Sequence, residues 1–192
     1  MKNKTGSLFL FIDTETGGII PTKHSLLQIG LAIWDCNNGI VDKIELYIKS
    51  KKYVVTKKAQ QINKFNEKEH NQKAEPPKIV ISKMMEFLRK YFCNEEAIPI
   101  IGHNVQFDVS FLKEFFRKNN RSFDRYFSHR YIDTYSLYKS MVLAGRLDDI
   151  NSSTDAFRLF NIKVDERHKA LDDCIATVQL YETLLHIIRE KL

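Results

Sequence analysis

The sequence predicts an α/β fold: a mixed sheet, built from an antiparallel three-strand meander plus parallel strands, flanked by helices. Three observations lead there. Residues 8–13 form an unbroken apolar run of the kind that a strand buried on both faces requires. Asn37-Asn38-Gly39 is a hairpin signal, because these residue types accept positive φ at low cost, and strand-like segments flank it. Beyond residue 56, stretches with helical spacing alternate with short apolar runs, as in strands connected through helices.

Taken in order, the first strand covers residues 8–13 and the second residues 26–34. The third, residues 40–48, alternates: Ile40, Ile44, Leu46 and Ile48 share one face, with Lys43, Glu45 and Lys49 opposite. Residues 56–65 are a short helix candidate. Pro76-Pro77 then precede an amphipathic helix in which Val80, Met84, Phe87 and Tyr91 recur at helical spacing. Residues 97–101 read as a buried strand. Asn104 is placed to cap the next helix, whose inner face carries Phe111, Leu112, Phe115 and Phe116. Tyr131-Ile132 is a short strand, and a helix starts at Thr134. The last long helix starts near Lys169 and buries Leu171, Cys174, Ile175, Val178 and Leu185. The predicted order is βββ-α-α-β-α-β-α-α.

At 192 residues the chain suits one domain, residues 1–192, with a core large enough to stand without disulfides. No apolar run approaches the roughly 20 residues that cross a bilayer, and residues 8–12 are too short for a signal-peptide core, so no membrane partner is expected. Cys36, Cys93 and Cys174 make neither a CxxC pair nor a zinc pattern and fit a reducing, cytoplasmic setting. A formal net charge of +6 and a pI of about 9.1 favour a polyanionic partner. Much of the excess sits in Lys49, Lys51, Lys52, Lys57 and Lys58, and again in Arg117, Lys118, Arg121, Arg125 and Arg130; either cluster alone reads as a solvated face.

Three acidic segments carry the chemistry. Asp13 and Glu15 lie two apart at the end of the first strand and so point the same way. Two carboxylates held together repel unless a cation bridges them, and hard oxygen donors suit Mg²⁺ or Mn²⁺. Residues 102–108, GHNVQFD, follow a strand and put Asp108 in the first turns of a helix, where an acid is favourable. Residues 168–173, HKALDD, open the last helix, and helical periodicity leaves open whether Asp172 or Asp173 faces the site. Each segment alone has an ordinary structural explanation.

Together, in this order and on this pattern of elements, they resemble the DEDDh branch of the 3′→5′ exonuclease superfamily. That branch includes the proofreading epsilon subunit of bacterial DNA polymerase III, RNase T, oligoribonuclease and Trex-type enzymes. The resemblance covers nearly the whole chain. The DxE motif matches Asp13 and Glu15, the second motif His103, Asn104, Phe107 and Asp108, and HxAxxD matches His168, Ala170 and Asp173, which selects Asp173 over Asp172. Residues 131–139, YIDTYSLYK, look like the DT-plus-helix segment before the third motif. Ile62-Asn63-Lys64-Phe65 falls where many members carry a segment that wedges against the terminal base; Lys64 replaces its usual glycine. Gln28 stands where many members have Glu.

The resemblance implies a ribonuclease H-like fold and two divalent metal ions, Mg²⁺ or Mn²⁺, held by Asp13, Glu15, Asp108 and Asp173. His168 is implied as the general base. Thr14 and Thr16 are placed near the terminal 3′-hydroxyl, and Ile62, Phe65 and Phe107, with His103 and Asn104, complete the substrate-binding set. The expected reaction removes nucleotides one at a time from single-stranded or frayed 3′ ends, DNA favoured, as 5′-monophosphates. An exoribonuclease and a catalytically silent nucleic-acid-binding subunit are the alternatives. A polymerase or another nucleic-acid-processing protein is an implied partner. The chain ends soon after its last helix, without the epsilon subunit's polymerase-reaching segment, which weighs against a dedicated proofreader.

Overall fold

A strand whose side chains are apolar on both faces needs a layer on each side, and β1 (Leu8–Thr16) has both. The computed structural model describes residues 8–92, 97–150 and 152–190. β2 (Leu26–Asp35) and β3 (Gly39–Tyr47) complete the antiparallel meander, turning at Gly39 with φ 71°. Three helices follow, α1 (Lys57–Asn63), α2 (Glu67–Lys73) and α3 (Pro77–Arg89). Then come β4 (Ile98–Gly102), α4 (Gln106–Lys118), β5 (Phe127–Asp133), α5 (Thr134–Leu143), α6 (Ser153–Leu159) and α7 (Ala170–Glu190). The sheet order is β3-β2-β1-β4-β5, with β4 parallel to β1 and β5 parallel to β4. This is the ribonuclease H-like mixed sheet that the sequence predicts.

Leu10 and Ile12 of β1 join Leu31, Ile33 and Leu46 under α3 and α4. Phe11, on the opposite face, packs with Trp34, Val178 and Tyr181 under α7. A third cluster, around Tyr138, Phe157 and Leu180, fastens α5 and α6 to the outer side of α7. Because β1, β4 and β5 run the same way, all three deliver their carboxyl ends to one edge, the edge at which ligands bind in open α/β sheets.

Several expectations are corrected. α2 and α6 are absent from the predicted order. α2 buries only His70, so it lacks an apolar stripe and is defined by Asn66, whose side chain accepts from Lys68 N and Glu69 N. α6 spans under two turns behind a Ser152 cap, too short for periodicity to register. Ile40 does not share the face of Ile44, Leu46 and Ile48: a register shift at Ile33/Trp34 turns it to the Trp34 side. Asn104 does not cap α4; it takes a left-handed φ of 55°, and Val105 stands at the cap position. Tyr91 lies beyond the end of α3, where its hydroxyl donates to Asp42 Oδ2 at 2.7 Å. Leu171, Ile175 and Leu185 are only partly buried. Cys174 is a buried free thiol and Cys36 an exposed one, while Cys93 falls outside the described residues.

One contact places α7. A Cβ at Gly30 would lie 2.3 Å from the Ala170 carbonyl oxygen, so only glycine lets the helix start come this close to β2. Ala170 is fully buried there, and its N–H donates to Gln28 Oε1 at 3.3 Å, so Gln28 satisfies a free donor of the helix start. Gly30→Ala should lower the unfolding free energy by about 1–3 kcal/mol, the usual range for overpacking. A denaturation midpoint equal to the parent's would show that the contact has slack.

Candidate active site

Side chains alternate along β1, so Asp13 and Glu15 follow Phe11 onto the α7 side, beyond the point where that helix begins. Asp13 pairs across the sheet with Gly30, the glycine that admits Ala170. Asp173 therefore arrives from the first turn of α7 beside Asp13 and Glu15. Asp108 arrives from the first turn of α4, and the buried Thr14 hydroxyl donates to its Oδ1 at 2.6 Å. Ligand atoms of Glu15, His168 and Asp173 lie within 4.8 Å of one another. The resemblance's choice of Asp173 agrees with this placement: Asp173 is buried in the cluster, while Asp172 lies near Tyr47 and Lys169.

Crowding shows in the protonation behaviour. Burial pushes the Asp13 carboxyl well above its ordinary value, and the charges of Asp108, Asp173 and Glu15 add to it. Burial raises Glu15 to about 8, reinforced by Asp173, and Asp108 to about 7, opposed by the Thr14 hydrogen bond. Burial also raises Asp173, against the lowering influence of Arg167. Four carboxyl groups whose burial and mutual charge disfavour ionisation suit a hard divalent cation, which would favour their charged form.

His168 sits in the loop before α7 with a left-handed φ of 67°, and its backbone N–H donates to Asp173 Oδ2 at 3.2 Å. Burial, with the charge of Arg167, lowers its imidazole below the usual value, so at neutral pH the ring is free to accept a proton. Sequence reasoning missed Arg167. Its Nη1 donates to Asp173 Oδ1 at 2.5 Å and its Nη2 to Thr154 Oγ1 at 3.1 Å, with the guanidinium over the Phe157 ring. A basic residue directly before His168 was the available signal.

The remaining candidates divide. Thr14, Thr16, Ile62 and Phe107 line one cavity of about 430 Å³ that touches Glu15. Their hydroxyl groups are already engaged: Thr14 with Asp108, and Thr16 with the Gly18 carbonyl at 2.8 Å. Ile62 is 45% exposed, a large apolar side chain facing the opening. Phe65 lies outside this cavity. It packs on Tyr53 and His70 at ring distances of 5.2 Å each and lines a separate groove of about 690 Å³ with His168 and Arg167. His103 Nδ1 pairs with the Thr134 hydroxyl at 3.0 Å, and Asn104 N–H donates to Asp133 Oδ1 at 2.7 Å. Both bonds tie the α4 junction to the β5–α5 junction. Asn63, also unforeseen, donates to the Thr16 carbonyl at 3.0 Å and anchors α1 over the cavity.

Residues 10–181 match the exonuclease family. The chain belongs to that family. Asp13, Glu15, Asp108, Asp173 and His168 all lie within the matched residues. A DNA polymerase III PolC-type of Caldanaerobacter subterraneus is 26% identical over 184 residues, which cover 95% of this chain and 12% of the relative. The chain thus spans about an eighth of the length of that polymerase. Among solved structures, E. coli Exonuclease I in complex with a dT13 oligonucleotide aligns with a TM-score of 0.79 at 18% identity, covering 96% of this chain and 42% of that one. The nuclease domain of 3′hExo, a DEDDh family member bound to rAMP, gives 0.74 at 12%, covering 95% and 94%. At these identities both share the fold.

The carboxylate shifts have a consequence for stability. Folded Glu15 and Asp108 keep their protons to about pH 8 and 7, against ordinary values of 4.5 and 3.8 in the unfolded chain. Between those limits the unfolded state binds fewer protons, so their contribution to stability falls as pH rises. In EDTA, raising the pH from about 5 to about 8 should therefore lower the melting temperature more for the parent than for Glu15→Gln. Mg²⁺ or Mn²⁺ should raise it more at pH 8 than at pH 5, because cation binding and proton binding compete. A metal increment independent of pH would contradict the placement of these carboxyls around one cation site.

Proposed function

We propose that residues 1–192 form one exonuclease domain that hydrolyses single-stranded or frayed 3′ ends of DNA to nucleoside 5′-monophosphates. The supporting observation is that Glu15, His168 and Asp173 bring ligand atoms within 4.8 Å of one another, that Asp13 feels the charges of Asp108, Asp173 and Glu15, and that Glu15 also lines the cavity of about 430 Å³. Asp13, Glu15, Asp108 and Asp173 would hold two divalent cations, Mg²⁺ or Mn²⁺, which when bound would supply electrophilic activation of water and stabilisation of charge on the departing oxygen. Asp13 and Glu15 are offered by a rigid strand, and Asp108 and Asp173 by helix starts, so little ordering remains to be done when substrate arrives. His168 accepts the proton of the attacking water. Water adds at phosphorus, the bond from phosphorus to the 3′ oxygen of the penultimate nucleotide breaks, and that oxygen leaves as the new 3′-hydroxyl. The terminal base seats between Ile62 and Phe107, which exclude water from its faces.

A second reading is an exoribonuclease, favoured by the rAMP held in the 3′hExo nuclease domain. The polymerase identity of the curated relative supports a polymerase or another nucleic-acid-processing partner. Among the described residues no helix is long and apolar enough to cross a membrane. The sparse cysteines, with no CxxC pair, support a cytoplasmic setting.

Mass spectrometry of products from matched DNA and RNA strands tests polarity and sugar preference together. The DNA strand should shorten from its 3′ end with release of 5′-monophosphates, and only with Mg²⁺ or Mn²⁺. Asp173→Asn should abolish the reaction and keep a cooperative melt, while Asp172→Asn should stay within a few-fold of the parent. A dead Asp172→Asn with an active Asp173→Asn would overturn the assignment.

His168→Ala should lose about 10²–10⁴-fold in single-turnover rate, the range for a positioned proton acceptor. Because the imidazole is shifted down, the parent rate should rise with pH through an inflection below 6.5 and then flatten. The variant should lack that inflection. Equal profiles and comparable rates in parent and variant would remove the general-base role.

A further inference from the structure

Members of the two basic clusters that are separate in sequence line one groove. A groove of about 310 Å³ is walled by Lys49 and Lys52 on one side, Lys118 at the end of α4 on another, and Lys23 from the segment joining β1 to β2. Glu114 is the acid in this wall, and it is already committed. Arg117 holds it through Nε at 2.7 Å and Nη2 at 2.8 Å, and Lys118 Nζ lies 3.4 Å away. Among the described residues Lys23, Lys49 and Lys52 form no ion pair. The wall that carries them is fixed by its backbone. Lys49 N–H donates to the Glu75 carbonyl at 2.8 Å, Ser50 Oγ to the Lys52 carbonyl at 2.8 Å, and Val54 N–H to Ser25 Oγ at 2.9 Å. The backbone that carries these lysines is therefore held in place, and their side chains are exposed along the groove.

Location decides the occupant. The groove and the 430 Å³ cavity share His24 as a wall. The His24 ring packs against Gly18, and Gly18 is three residues, at most about 10 Å of chain, past Glu15. The order in space is thus carboxylate cluster, cavity, His24, basic groove. A 3′ end is a terminus. With the last nucleotide in the cavity and its phosphate at the carboxylates, the rest of the strand departs on the carboxylate side, and no phosphate of that strand lies beyond the base. The complementary strand, which continues past the frayed terminus, is the polyanion whose path leads to the groove. We propose that the groove binds the phosphate backbone of the complementary DNA strand, so that the protein seats on a duplex whose 3′ end has frayed. This rests on the functional reading above.

The test compares one labelled DNA strand, alone and annealed to a complement that overhangs at its 5′ end. Lys49→Glu/Lys52→Glu, both at exposed positions, should raise KM for the duplex about tenfold or more. KM for the single strand should stay within twofold, and kcat should be unchanged on both. The dependence of log affinity on log salt, measured in EDTA, should become shallower by about 2 for the duplex alone, since each phosphate contact contributes about 0.9. Arg121→Glu/Arg125→Glu, which makes the same charge change outside the groove, should alter neither substrate. Equal losses on both substrates, equal effects of the two double variants, or no loss on the duplex would each overturn the proposal. Failure of the parent to degrade even the single strand would instead overturn the functional reading.

Discussion

Crowding carboxylates costs free energy, and the chain offsets that cost by burying the strand that bears two of them on both faces. β1 has Leu10 and Ile12 under one helical layer and Phe11 under the other, so its position cannot relax away from the repulsion at its end. Asp13 and Glu15 are held where Asp108 and Asp173 also arrive, and all four carboxyls respond by holding their protons more tightly. The rest of the active edge follows from this constraint. Thr14 and Arg167 supply the counterbalancing hydrogen bonds, one neutral and one charged, each to a different helix-borne aspartate.

The close approach of α7 is the second half of the same arrangement. Glycine at position 30 and alanine at 170 are small for one reason: the helix start must touch the sheet opposite Asp13. Gln28 then takes over as acceptor for the first helical N–H. The HxAxxD spacing thereby has a physical content. Its alanine is the contact with the sheet, its aspartate the charge delivered, and its histidine the loop residue whose N–H is bonded back to that aspartate.

Around this rigid centre the substrate-facing elements are held differently. α1 buries no residue and is fastened by hydrogen bonds: the Asn63 side chain to the Thr16 carbonyl, the Thr56 N–H to the Gly17 carbonyl, and the Ala59 N–H to the Thr56 hydroxyl oxygen. Its exposed Ile62 faces the cavity, whereas Phe65, past the left-handed Lys64, turns to Tyr53 and His70. Two apolar residues three apart thus serve different walls, because the helix ends between them. Lys64 adopts a left-handed φ of 51°, the region that favours glycine.

Sequence alone determined the class of sheet and the meander, because those properties are local: a continuous apolar run and a turn of Asn and Gly. The acidic residues were legible as three separate segments, and their union, with the choice of Asp173 over Asp172, came only from the order of motifs in the family resemblance. The sequence also showed both basic clusters, but only as charge. Short polar helices escaped, since α2 is specified by a cap and α6 by fewer than two turns, and neither leaves a periodic trace. The side to which Ile40 turns depended on a single register shift, the wall that Phe65 joins on where α1 stops, and the role of Arg167 on a partner six residues along a chain that loops back. The meeting of Lys49, Lys52 and Lys118 in one groove depended on how α4 lies against the segment after β3. These are distances between parts of the chain far apart in sequence, and packing alone decides them.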